Sequence, residues 1–148
     1  MQDEKQEGFA AVPPQTAADS NEKKAKARKA LPELPVYRAS ANLKYVIVTM
    51  MARAPRRLTK FFDEMLMTVS ELSKSIGLAD TSRNGDDRVW YISMALTLVY
   101  ELRNDFTILL RMGVIGRDDD NKAKALAKRV IAQLVAWRDY TSNQGVKA

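Results

Sequence analysis

The chain has 148 residues, 46% of them apolar and 28% charged, which is one domain's worth of core and too little for two comfortable ones. It contains no Cys and no His, so disulfide frameworks, thiolate or imidazole metal sites and thiol nucleophiles are excluded, and the commonest general base is missing. The formal charge of +6 favours a polyanionic partner, and no apolar run approaches the ~20 residues that span a bilayer.

Residues 1–30 carry Pro13-Pro14 and few large apolar side chains, so they are expected to form a disordered arm. That arm ends in the basic cluster Lys23-Lys24-Ala25-Lys26-Ala27-Arg28-Lys29, suited to a phosphate backbone or simply to solubility. Its first residues lack the cationic start and apolar region of a secretory signal, so a cytoplasmic location is expected.

The folded part is expected over 31–141, opening at Leu31-Pro32-Glu33-Leu34-Pro35, with 142–148 as a flexible tail. Two prolines bias their predecessors away from helix, and Pro35 suits a first helical turn. A first helix is predicted from about Val36 to Ala52, with Val36, Leu43, Ile47, Met50 and Ala54 inward and Val46 beside them. Pro55 breaks it. A second helix is predicted from about Arg56 to Ile76, where Leu58, Phe62, Met65, Val69, Leu72 and Ile76 form a heptad seam and Gly77 is the expected cap.

Residues 78–86 have loop composition. Asp86 or Asp87 is expected to cap a third helix reaching about Met112, lined inward by Ile92, Leu96, Val99, Leu102, Phe106 and Leu109 and widened by Leu98 and Leu110. A helix this apolar is either central in a bundle or touches a second subunit. Gly113 and Gly116 close it. Asp118-Asp119-Asp120 then opens a fourth helix, with Ala123, Leu126, Val130, Leu134, Trp137 and Tyr140 inward and an end near Thr141. The fold class is therefore all-α, an antiparallel four-helix bundle.

The net charge is positive over 36–76 and 121–148 and negative over 77–120. Arg53, Arg56, Arg57 and Lys60 cluster at the helix break; Lys124 and Lys128 share a face of the last helix, with Arg129 beside them. If the first and last helices are neighbours, these seven side chains form one patch for phosphates. Few aromatics interleave with them, which points to backbone contact rather than base reading. Glu101, Arg103 and Asp105 read as a structural ion pair at a subunit contact rather than as acid–base machinery. The three consecutive aspartates read as helix-capping charge, since adjacent carboxylates cannot all converge on one cation. Met50, Met51, Met65, Met67 and Met94 are expected in the interior; Phe61, unable to share a core with Phe62, is expected to meet a neighbouring helix or subunit. No catalytic residue, cofactor or metal is expected.

Taken in order, several short motifs resemble one family. Leu34-Pro35-Val36-Tyr37-Arg38-Ala39-Ser40 is similar to its "LPVYKAS" signature, and Ala54-Pro55-Arg56 to the Pro-Arg after its first helix. Glu101-Leu102-Arg103 followed by Gly113-Val114-Ile115 resembles a third helix ending in a "GLIS"-like turn, and Leu134-Val135-Ala136-Trp137 resembles the closing "LGGW". The family is that of the accessory variability determinant (Avd) of diversity-generating retroelements, which includes bundle proteins encoded in ribosomal RNA intervening sequences. The resemblance implies a barrel-like homopentamer that binds a reverse transcriptase, template-repeat RNA and cDNA as a non-catalytic subunit in mutagenic cDNA synthesis. It implies no membrane and no small-molecule substrate. The alternatives are a ribosomal-RNA-associated bundle and a protein-interaction scaffold without a nucleic-acid role.

Overall fold

The computed structural model describes residues 34–147, with side chains through 144, so the arm expected over 1–30 and its basic cluster lie outside the described residues. Within them the chain forms α1 (Pro35–Arg53), a single 3₁₀ turn (Arg56–Leu58), α2 (Thr59–Thr81), α3 (Gly85–Arg111) and α4 (Arg117–Lys147). The helices pack in a ring: α1 on α2, α2 on α3, α3 on α4, and α4 back on α1. With connections this short the arrangement is an all-α, up-and-down antiparallel four-helix bundle. The described residues contain no strand, and none of their helices is long and apolar enough to cross a membrane.

Local chemistry sets the ends of each helix. Leu34 is extended (ψ 130°) and Pro35 occupies the first turn, where its missing N–H costs nothing. Ala54, which precedes Pro55, is forced out of the helical region to ψ 158° and ends α1. Pro55 leads into the 3₁₀ turn, closed by the Leu58 N–H donating to the Pro55 carbonyl at 3.0 Å, so α2 begins at Thr59 rather than at Arg56.

Gly77 does not cap α2. It is a buried interior residue, because Ala79, fully buried, prolongs the seam by another turn. The end of α2 is instead held by Arg88 of α3, whose guanidinium donates to the carbonyls of Ala79 (2.9 Å) and Ser82 (2.8 Å). The cap of α3 is Asn84, two to three residues ahead of the expected aspartates. Its Oδ1 accepts from the Asp87 N–H at 2.8 Å and its Nδ2 donates to the Asp87 carboxylate at 3.2 Å. At the other end Gly113 takes φ +72°, with Gly113 N–H to Leu110 O (3.0 Å) and Val114 N–H to Leu109 O (2.9 Å), a Schellman closure.

Asp118, Asp119 and Asp120 fill the first turn of α4, at the positive end of its dipole. That helix passes the expected stop near Thr141 and takes in most of the supposed tail, reaching Lys147. Thr141 is buried, with its Cγ2 3.7 Å from where a Cβ on Gly85 would stand, so the start of α3 packs over it.

The predicted stripes meet in one core. Leu43, Ile47, Phe62, Val69, Leu72, Ile76, Ile92, Val99, Leu102, Phe106, Leu109, Val130 and Leu134 are fully buried. Phe61 packs at the edge of this same core, edge-on to Phe62 with ring centroids 6.2 Å apart. The methionines divide: Met50 and Met65 are buried, whereas Met67 (68% exposed) and Met94 (37%) face outward, as does Tyr140 (63%). Replacing Arg88 by Ala leaves two carbonyls at the end of α2 without a charged donor. A loss of about 1.5–3 kcal/mol in urea unfolding is expected, with faster amide exchange confined to the last turn of α2.

Candidate nucleic-acid interface

Alternation of direction brings the end of α1, the 3₁₀ turn, the start of α2, the end of α3 and the start of α4 to one end of the bundle. Arg53, Arg56, Arg57 and Lys60 stand there, all exposed. Two further exposed cations join them, Arg111 at the end of α3 and Arg117 at the start of α4. Neither stands out in the chain, because each is isolated in sequence; only pairing alternate helix ends reveals them. Arg53 is partly neutralised, with its Nη2 3.6 Å from Asp119 Oδ2 and its Nε donating to the Thr49 carbonyl at 3.4 Å. Arg56, Arg57 and Lys60 have no ion-pair partner among the described residues. The first turn of α2 carries no acidic residue and no side-chain cap, so the helix dipole adds to the positive potential.

The expected single patch divides in two. α1 and α4 are neighbours, and Arg53 does reach Asp119 across that seam. Lys124 and Lys128, however, line the opposite seam of α4, in a groove of about 730 Å³ shared with Tyr100, Arg103, Asn104 and Thr107 of α3. The reason is angular. Five residues of helix separate Asp119 from Lys124, a rotation of roughly 140°. Arg129 is exposed and does not line the groove. Lys124 Nζ lies 3.2 Å from Asp120 Oδ2, a carboxylate only 6% exposed, which fixes the lysine at the groove wall. The three consecutive aspartates thus diverge, one to Arg53 and one to Lys124, and no cluster among the described residues is arranged to hold a metal ion.

Glu101, Arg103 and Asp105 do not pair with one another within the chain. Residues two apart on a helix point to nearly opposite sides, so the arginine leaves its acidic neighbours. Arg103 turns towards α4 and lies over the Tyr100 ring, its Cζ 5.2 Å from the centroid. Glu101 and Asp105 lie on the flank beside α2, near Glu64. Partial burial, then the charges of Glu101 and Glu64, push the Asp105 carboxyl up to about 6. Three carboxylates thus gather on one flank of α3 and the cations on the other.

No protein-family model matches the chain, and no curated protein matches it.

An acid that binds its proton more tightly when folded contributes stability at low pH and loses it as pH rises from the ordinary carboxylate range to about 6. Asp105→Asn removes that loss. Near neutral pH the variant is expected to be more stable, by on the order of 1 kcal/mol given the screening of a partly exposed group, and at about pH 4 the two proteins converge. Thermal melting across this range checks both the sign and the window.

Proposed function

We propose that this chain is a non-catalytic accessory subunit of the Avd type, which binds a reverse transcriptase with its template RNA and cDNA and works as a homopentamer in a diversity-generating retroelement. The observation that carries this reading is the position of the resembling motifs on the punctuation of the bundle. Leu34–Ser40 opens α1, Ala54-Pro55-Arg56 is the break before α2, Gly113-Val114-Ile115 is the closure of α3, and Leu134–Trp137 lies in α4. Three of these four motifs have a structural reason to be there, since they start, break or close a helix that the core requires, and the fourth contributes the buried Leu134 to that core.

The basic end of the bundle supports the nucleic-acid part of the proposal. Arg56, Arg57 and Lys60 are exposed and unpaired among the described residues, so they can neutralise phosphates at little desolvation cost. Protein contact is supported by an interrupted strip along one side of α3, with Trp90 and Met94 (59% and 37% exposed) before the exposed Glu101, and Ile108 and Met112 (37% and 52%) beyond it. The same strip is what favours the scaffold reading.

Charge reversal at Arg56 and Lys60 is expected to weaken RNA binding and to flatten the dependence of log K on log salt by about 0.7 per lost contact, with thermal unfolding unchanged. Intact affinity and slope would remove the bundle end from the proposal. A tagged pull-down from the native host separates the partners. A reverse transcriptase with one short non-coding RNA supports the retroelement role, and ribosomal RNA without a polymerase supports the ribosomal alternative. Protein free of nucleic acid at moderate salt leaves the scaffold.

A further inference from the structure

On the reading that the chain binds nucleic acid, we propose that the α3–α4 groove is a subsite for a single strand, in which a base stacks on Tyr100 and the flanking phosphates meet Arg103, Lys124 and Lys128. The groove is lined by these four side chains with Asn104 and Thr107. It brings an aromatic ring into a cationic cluster from a different helix. That is the combination by which proteins hold unpaired nucleotides, a positively charged track with a platform for a base.

The parts fit a strand rather than a compact anion. Lys124 and Lys128 are one turn apart on α4, about 6 Å along its axis, which suits successive phosphates of an extended strand. Lys124 is anchored by Asp120 at 3.2 Å, so it is held at the wall without losing its outward N–H groups. Lys128 is exposed, and neither it nor Arg103 has an ion-pair partner among the described residues. Arg103 covers Tyr100 in the free chain, its Cζ 5.2 Å from the ring centroid, and an arriving base takes its place on the ring as the guanidinium turns to a flanking phosphate. Tyr100 is 47% exposed, far more than packing requires, and its hydroxyl makes no hydrogen bond among the described residues. The Asn104 amide lies beside it, able to donate to and accept from a base edge. A duplex keeps its bases stacked inside, so Tyr100 contributes only to a single strand.

The test compares the full chain with Tyr100→Leu, Tyr100→Phe and Lys128→Ala. Each is titrated with one short labelled RNA strand and with the same strand in a duplex, at two salt concentrations. The wild type is expected to prefer the single strand. Tyr100→Leu should lose roughly five- to a hundredfold in single-strand affinity with an unchanged salt slope and unchanged duplex binding, while Tyr100→Phe retains the affinity. Lys128→Ala should reduce the single-strand salt slope by about 0.7. Unaltered thermal melting of Tyr100→Leu keeps the comparison valid, and a half-exposed side chain makes that the expected result. If the wild type binds both forms equally and Tyr100→Leu changes nothing, the groove subsite is overturned while nucleic-acid binding stands. If the wild type binds neither form, both proposals fall together.

Discussion

The fully buried side chains of α2 and α3, among them Phe62, Leu72, Ile76, Ile92, Leu102 and Phe106, find apolar surroundings only in one another and in the stripes of α1 and α4. At about 1.5–3 kcal/mol for each large side chain, this shared burial is the dominant favourable term in the bundle. It also fixes the rotation of every helix about its axis. Once the core stripe of α3 faces inward, Glu101 and Asp105 must flank α2 and Tyr100 and Arg103 must flank α4. The polar geometry of the surface follows from an apolar requirement.

The charges then sort by flank and by end. At the break, Pro55 has two effects. It stops α1, and it places Arg56 and Arg57 in a 3₁₀ turn beside the uncapped start of α2, where the helix dipole and the cations share one sign. The start of α4 lies at the same end with the opposite arrangement, since its three aspartates neutralise the dipole and draw in Arg53 and Lys124. The basic character of that end is therefore uneven, strongest beside α2 and weakest where α4 begins. A polyanion approaching it would find the α2 corner least compensated.

Helix count, stripes and the main break were legible along the chain, because the apolar period and proline's missing N–H are local properties. So was the turn at Gly113, whose left-handed backbone suits glycine. The ends of the other helices were less legible. Gly77 has the composition of a cap, yet burial of Ala79 carries α2 past it, and Arg88 supplies the closure from the next helix. Asn84 outcompetes Asp86 and Asp87 as the cap of α3 because its carbonyl reaches the Asp87 N–H. Thr141 reads as a terminus, but packing against the start of α3 gives α4 a reason to continue. Met67 and Met94 look like core filler by type and face outward by phase.

The grouping of the basic side chains shows the same division. Arg53, Arg56, Arg57 and Lys60 are close in sequence, so proximity alone brings them together. Lys124 and Lys128 share a face by helical period. Whether that face meets α1 or α3 is not encoded in either spacing, and the tertiary structure turned it to α3, separating the two basic clusters and placing Tyr100 and Arg103 beside the lysines. The amino-acid sequence by itself determined the four helices, their inward stripes, the break and the local clusters, because those depend on backbone chemistry and on periods of a few residues. Only the tertiary structure decided which flanks face one another across the bundle, because that depends on how four stripes close a common core.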